Sequence, residues 1–135
     1  MNKAKILDKK LKQMVEGITF DDILLLPNYT DFKRNVVDLS VDLHPSIKLK
    51  IPIISSPMDT VTEEKMAQSM AENGGLGIIH RNLSIEKQVL MIKEVKNIKT
   101  DNKKAAVDEK NRLLVGAALG VGEDFLERAK ALVKK

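Results

Sequence analysis

The sequence predicts an α/β fold built on a parallel sheet, because one local pattern, a short apolar strand followed by an amphipathic helix, occurs three times in succession. The strand segments lie at residues 51–56, 76–80 and 113–118. Downstream of each segment, apolar residues recur at helical spacing. Successive strand–helix units form a parallel sheet with right-handed crossovers, and such a sheet either closes as a barrel or remains open.

Residues 1–50, which precede these units, are expected to form an N-terminal helix and an extended arm. Within the arm, pieces at 36–41 and 47–49 alternate like short edge strands. The helix would end at Gly17, and its apolar positions are Ala4, Leu7, Leu11, Met14 and Val15.

The first strand–helix unit opens the second part of the chain, residues 51–135. Residues 51–56 are apolar on both faces, which is typical of a buried parallel strand, and Pro52 suits the start of a strand. The sequence from Thr60 to Glu63 matches a capping box, so a helix is expected to begin there. Its buried face and its end are predicted at Met66, Ala67, Met70 and Ala71, and at Asn73 and Gly74.

The second unit joins the strand at 76–80 to a helix capped by Ser84. A polar, highly charged linker at 97–112 separates it from the third unit and shows no apolar period. The predicted buried faces of the two helices are Ile85, Val89, Ile92 and Val95, and then Phe125, Ala129, Leu132 and Val133.

The distribution of charge argues against a nucleic-acid partner. The chain of 135 residues carries 23 basic and 19 acidic side chains, and residues 1–16 and 93–112 each have a net charge of +3. The one tyrosine and three phenylalanines lie outside both basic segments. Single-stranded nucleic-acid binders combine basic with aromatic side chains, so no such partner is expected.

The composition excludes other classes of function as well. No apolar run approaches the ~18–20 residues that span a bilayer, and no signal-peptide pattern opens the chain. The sequence contains no cysteine, which excludes disulfides, thiolate metal sites and a cysteine nucleophile in this chain. The two histidines, His44 and His80, are not at metal-ligand spacing, so no metal site is expected.

Two glycine clusters match phosphate-binding loops only in part. Gly120 and Gly122 follow a strand and precede a helix, but Phe125 replaces the third glycine of the dinucleotide fingerprint. Glu123 and Asp124 would repel an anion at that helix end. A turn is therefore the favoured interpretation, as it is for the glycines at 74–77.

Polar residues follow the first two strands, at 55–59 and at 80–82. Ligands of parallel α/β folds bind at the carboxyl ends of the strands, so these clusters would form either a ligand site or simple strand-to-helix loops. The neighbouring Asp21 and Asp22 are interpreted as turn or cap residues, because adjacent side chains of an extended chain point in different directions.

Four motifs occur in order along the chain: GITFDDILLLP at 17–27, PIISSPMDTVTE at 52–63, GGLGIIHRN at 74–82 and LLVGAA at 113–118. Together they closely resemble the amino-terminal part of the inosine-5′-monophosphate (IMP) dehydrogenase family. That family forms a TIM (β/α)8 barrel, usually a tetramer, and oxidises IMP to XMP with NAD⁺ in guanine nucleotide synthesis. The resemblance implies that the three units are the first three of such a barrel, which is then incomplete.

The resemblance also implies roles for individual residues. Ser56 and Met58 would contact IMP, and His80 and Arg81 would flank the NAD⁺ side of the cleft. Asp59 is expected to be structural. No residue of this chain matches a catalytic residue or a metal ligand of the family, whose cysteine loop and potassium site belong to the part not matched here.

Two departures from the family bear on function. The linker at 97–112 occupies the place of a regulatory pair of cystathionine-β-synthase-type domains, and the thiolate that attacks C2 of IMP has no counterpart. The chain is therefore expected to be a cytoplasmic fragment or split piece that is inactive alone and needs the remaining barrel segment or a homo-oligomer. The alternatives are a non-catalytic purine-nucleotide-binding or regulatory subunit, and a fragment of a GMP reductase-like barrel.

Overall fold

The computed structural model describes residues 17–133, and the chain divides after Val36 into two units. The helix expected before Gly17 lies outside the described residues. The described part of the first unit contains two 3₁₀ turns, Phe20–Asp22 and Arg34–Val36.

Asp22 caps the first of these turns, which confirms its predicted structural role. The backbone N–H and the hydroxyl of Thr19 donate to Asp22 Oδ2, at 2.8 and 2.9 Å. These hydrogen bonds stabilise the carboxylate and lower the pKa of Asp22.

The second compact unit of the chain, which starts at Val37, begins with an antiparallel hairpin of β1 (Val41–His44) and β2 (Ile47–Leu49). The strand predicted at 47–49 is confirmed. The strand predicted at 36–41 is wrong, because this segment starts in the second 3₁₀ turn and extended pairing begins only at Val41.

A three-stranded parallel sheet follows, and it confirms the predicted α/β class. Its strands β3 (Ile54–Ser55), β4 (Leu76–Ile79) and β5 (Val115–Ala117) lie in the order β3-β4-β5. Each is followed by a helix: α1 (Glu64–Glu72), α2 (Ile85–Asn97) and α3 (Phe125–Val133). None of the helices among residues 17–133 has the length and apolar character needed to cross a bilayer.

The first strand is less buried than its sequence predicts. Ile53 and Ile54 are 53% and 45% exposed, although both are apolar. β3 lies at the edge of the sheet and pairs only with β4 among the described strands, so one side of it has no neighbour there.

The main core lies between the sheet and its helices, and its tightest contact is between Gly77 of β4 and Ala67 of α1. A Cβ atom added to Gly77 would overlap the Cα of Ala67. The glycine therefore permits the helix to approach the strand at backbone distance. The buried residues of this cluster are Ala67, Ala71, Ile79, Ile92, Val95, Ala105 and Leu113.

A second cluster lies at the amino-terminal end of the sheet, where the hairpin packs. Its buried members are Leu49, Leu76, Ala106 and Leu114. Gly74, which ends α1 at φ 90°, accepts a 2.8 Å hydrogen bond from the Lys50 N–H. A Cβ atom at Gly74 would lie 2.6 Å from the Lys50 Cβ, so both backbone conformation and space require glycine here.

The segment predicted as a polar linker is docked on this end of the molecule. Asn102 Nδ2 donates to the Glu72 carbonyl at 2.7 Å, and the Ala106 N–H donates to the Ala71 carbonyl at 2.8 Å. Ala105 and Ala106 are almost completely buried, at 3% and 1% exposure. Small residues inside a charged stretch thus anchor it to the core.

Asp108 holds the end of that segment together. Its carboxylate accepts hydrogen bonds from Lys96 Nζ and from the backbone and side chain of Arg112, each at 3.0 Å. Burial raises the pKa of Asp108, but these hydrogen bonds and the nearby cations outweigh it and hold the pKa well below its ordinary value.

Replacing Gly77 with alanine is expected to destabilise the fold by about 1–3 kcal/mol, because the added methyl group overlaps the backbone of α1. Urea unfolding of the full chain measures the effect. The matched control is Gly122→Ala, whose methyl group would meet only Asp124 Oδ1 at 3.7 Å. Equal stability of the two variants would contradict the close strand–helix approach.

Asp108→Asn is expected to cost about 2 kcal/mol at neutral pH, because it leaves two partly buried cations less well compensated. The folded-state pKa of Asp108 is lowered, so its contribution is complete above the unfolded value of about 4 and is lost as the pH falls below it. Urea unfolding from pH 7 to pH 3 should show the gap between wild type and variant narrowing below about pH 4.

The control for that series is Asp42→Asn, since Asp42 and its partner Lys48 are 69% and 59% exposed. Its effect should stay below about 0.5 kcal/mol. A gap for Asp108→Asn that stays constant down to pH 3 would show that its carboxylate is not stabilised as described.

Candidate functional site

The loops after β3 and β4 meet at the carboxyl-terminal edge of the sheet. The two strands are parallel neighbours, with Ile54 opposite Leu76, so their carboxyl ends lie at the same edge of the sheet. A cavity of about 340 Å³ opens between the loops. Its lining residues are Pro57, Met58, Asp59, His80, Arg81 and Asn82. The predicted convergence of the two polar clusters is therefore present in the structure.

A direct hydrogen bond connects the two loops. Asn82 Nδ2 donates to Asp59 Oδ2 at 2.9 Å, across 23 positions of sequence. Asp59 therefore connects its loop to the loop after β4, whereas the sequence-based expectation is that it organises the helix that follows it.

Thr62 fixes the end of β3 from beneath. The side chain is completely buried, and its hydroxyl donates to the Ser56 carbonyl at 2.6 Å and lies 2.9 Å from Ser55 Oγ. The predicted capping box from Thr60 to Glu63 is wrong, because α1 begins at Glu64 with Glu63 as N-cap and no side-chain cap. The threonine hydroxyl is directed to the strand end instead.

Ser56 and Met58, the residues predicted to contact substrate, are both exposed, but only Met58 lines the cavity. The Ser56 carbonyl accepts from the Met58 N–H at 2.8 Å, which forms a tight turn. Among residues 17–133 the Ser56 hydroxyl has no hydrogen-bond partner, and the Met58 side chain is 53% exposed and lines the cavity. Both side chains are available to a ligand.

His80, predicted to flank a cofactor, is only 3% exposed. Its Nδ1 accepts a hydrogen bond from the Asn82 N–H at 3.1 Å, so the ring proton lies on Nε2, which faces Glu63 Oε1 at 3.4 Å. This arrangement orders the 80–82 loop. Arg81 is exposed at the edge of the cavity, and its guanidinium lies against Gly120 of the loop after β5.

Gln88, a polar residue on the buried face of α2, is not among the buried residues predicted from the sequence. It is completely buried, and its side-chain amide donates to the carbonyls of His80 and Ala118, each at 3.0 Å. It thereby joins the ends of β4 and β5. A signal was present: Gln88 lies four residues before Ile92 and seven before Val95, in line with the apolar face.

Arg128 of α3 completes this network. It is 7% exposed, and its guanidinium donates to Gln88 Oε1 at 3.0 Å, to Asp124 Oδ2 at 2.7 Å and to the Leu83 carbonyl at 3.1 Å. The predicted buried stripe of α3 is partly wrong as a result. Phe125 and Val133 are 41% and 86% exposed, because the helix turns Arg128 inward.

Among residues 17–133, no three histidine, aspartate or glutamate side chains could jointly hold a metal ion. At the start of α3, Asp124 is engaged by Arg128.

A family sequence profile described as "IMP dehydrogenase / GMP reductase domain" matches residues 17–135. Among individual relatives, an inosine-5′-monophosphate dehydrogenase from Cryptosporidium parvum is 42% identical over 153 aligned residues, covering 91% of this chain and 38% of that protein. The enzyme of the same name from Staphylococcus saprophyticus is 58% identical over 81 residues, or 60% of this chain and 17% of its own length.

A third relative of the same name, from Aquifex aeolicus, is 51% identical over 90 residues, covering 67% of this chain and 18% of that protein. The chain thus spans well under half the length of the curated relatives that it matches.

Gln88→Met is expected to destabilise the chain by about 2–4 kcal/mol, because it leaves a buried guanidinium and strand-end carbonyls without their partner. Thermal or urea unfolding measures the loss. The control is Gln68→Met on α1, where the amide donates only to Glu72, at 2.9 Å. If both variants lose the same stability, Gln88 does not hold the strand ends together.

Proposed function

This chain belongs to the IMP dehydrogenase / GMP reductase family, a family of oxidoreductases, and we propose that it supplies part of the substrate cleft for oxidation of IMP to XMP with NAD⁺. The observation that carries the proposal is the cavity between the loops after β3 and β4, where Met58, predicted to contact IMP, meets His80 and Arg81, predicted to flank the cofactor. This is the edge of a parallel sheet at which α/β enzymes bind ligands.

On the nucleotide side, Ser56 and Met58 contact IMP. The free hydroxyl of Ser56 donates to or accepts from a polar group of the nucleotide, and the exposed thioether of Met58 packs on the purine face. Thr62 holds the Ser56 carbonyl from the buried side, so the hydroxyl is presented from a fixed backbone.

On the dinucleotide side, Arg81 contacts the cofactor and His80 orders its loop. The described residues fit this division, because Arg81 is exposed at the cavity whereas both ring nitrogens of His80 face protein groups. When bound, NAD⁺ supplies the hydride acceptor. The potassium ion that the family uses is assigned to a part of the enzyme outside these residues.

The chain is proposed to be inactive by itself. The reaction requires a thiolate to attack C2 of IMP, and the 135 residues contain no cysteine. The remaining segment of a TIM barrel, carried by another polypeptide or another part of the protein, supplies the nucleophile. The same segment covers the exposed side of β3, where Ile53 and Ile54 are about half exposed. We also propose that the protein assembles into a homo-oligomer such as a tetramer and functions in the cytoplasm.

The segment 97–112 is proposed to replace the regulatory domain pair of the family. Its buried alanines and its hydrogen bonds to Glu72 and Ala71 make it a compact connection between the second and third units.

A second candidate is a non-catalytic subunit that binds a purine nucleotide at the same cavity. The GMP reductase branch of the family is a third, since the matching profile covers both enzymes. These candidates differ in which nucleotide and cofactor they bind and in whether turnover appears when a cysteine-containing partner is added.

We expect the full chain to bind IMP and to bind it less well when Ser56 or Met58 is replaced by alanine. The loss should be roughly three- to tenfold for Ser56→Ala, the value of one hydrogen bond. Ligand-observed NMR titrations with IMP, GMP, NAD⁺ and NADPH measure the binding.

The controls are Ser69→Ala and Met66→Ala on α1, an exposed serine and a methionine that is 42% exposed, both outside the cavity. Equal effects of control and site variants would contradict the assignment.

No NADH should form from IMP and NAD⁺ until a cysteine-containing remainder of the barrel is added. Binding without turnover even then would favour the non-catalytic subunit, and preference for GMP and NADPH would favour the reductase.

A further inference from the structure

The Arg81 guanidinium lies directly on the backbone of Gly120, although 39 positions separate them in sequence. A Cβ atom built on Gly120 would stand 2.8 Å from Arg81 Nη1, 3.0 Å from Cζ and 3.2 Å from Nε. All three distances are to the planar group itself, so the guanidinium covers the space that a side chain at Gly120 would occupy.

Within the described part of the chain, residues 17–133, Arg81 donates no hydrogen bond and forms no ion pair. In this part of the chain the guanidinium thus lies close to Gly120 without an acidic partner. One face of the group lies against the glycine, while its residue lines the cavity between the loops. The N–H donors remain available to a ligand in a planar, fork-like arrangement.

Gly120 is not needed for backbone conformation. Among the described glycines only Gly74 lies in the left-handed region, so an alanine at 120 is allowed by the backbone. What alanine would change is the space above the loop. Two positions further on, a Cβ atom at Gly122 would meet only Asp124 Oδ1 at 3.7 Å, so the close approach of a guanidinium is specific to Gly120.

We propose that Gly120 is a positioning residue for Arg81: the bare backbone after β5 is a platform that orients the guanidinium toward the cavity between the loops. The third strand–helix unit thereby contributes to a site whose lining residues come from the first two. This assignment deepens the proposed function, because the oriented guanidinium is the group that contacts the dinucleotide.

The ligand-free full chain tests the geometry by itself. Arginine Nε–Hε NMR signals, with Arg81 assigned by its loss in Arg81→Lys, should show a contact between Arg81 Hε and the Gly120 α protons. In Gly120→Ala the Arg81 signal should move toward that of mobile arginines, whereas Gly122→Ala should leave it unchanged. An unchanged Arg81 signal in Gly120→Ala would overturn the proposal.

Binding provides the second readout. Gly120→Ala should weaken NAD⁺ binding roughly tenfold, as loss of a charge-assisted hydrogen bond does, and have no further effect in an Arg81→Ala background. The same loss in both backgrounds would show that Gly120 does not act through Arg81. If the spectra change as expected but no variant binds NAD⁺, the positioning of Arg81 stands and the proposed function fails.

Discussion

The carboxyl-terminal edge of the sheet depends on the hydrogen bonds of the Gln88 side-chain amide. Parallel strands that end at a loop leave carbonyl groups without ladder partners, and burying such groups unpaired costs about 1–3 kcal/mol each. Gln88 satisfies the carbonyls of His80 and Ala118 with one amide group, while its oxygen accepts from Arg128. One side chain of α2 therefore sets the relative position of two strand ends and of α3.

The loops that line the cavity are built on this fixed edge. The His80 carbonyl accepts from Gln88, and the His80 ring accepts from the Asn82 backbone N–H. At the surface, the Asn82 side-chain amide donates to Asp59 of the neighbouring loop. Buried polar groups with partners are rigid, because any movement exposes an unsatisfied donor or acceptor. The exposed side chains of Met58 and Arg81 thus project from ordered loops.

The opposite end of the sheet is closed by apolar packing. Leu49 of the hairpin joins Leu76, Ala106 and Leu114 in one cluster, and the segment at 97–112 covers it. The apolar cluster and the cavity between the loops thus lie at opposite ends of the same strands. The second end tolerates charged surface residues, since Lys96 and Arg112 share the carboxylate of Asp108.

The sequence by itself determined the order of the three strand–helix units, because hydrophobic periodicity is a local property, and it placed the polar clusters at two adjacent strand ends. It did not predict the 3₁₀ turn that replaces the first part of the strand expected at 36–41. It did not determine which polar side chains are buried. Gln88 and Arg128 are buried with partners that include residues 30 to 45 positions away, and the buried Thr62 hydroxyl bonds Ser55 and Ser56 at the end of β3. A buried polar group is stable only when its partners are in place, so only the tertiary structure decided which polar side chains are buried.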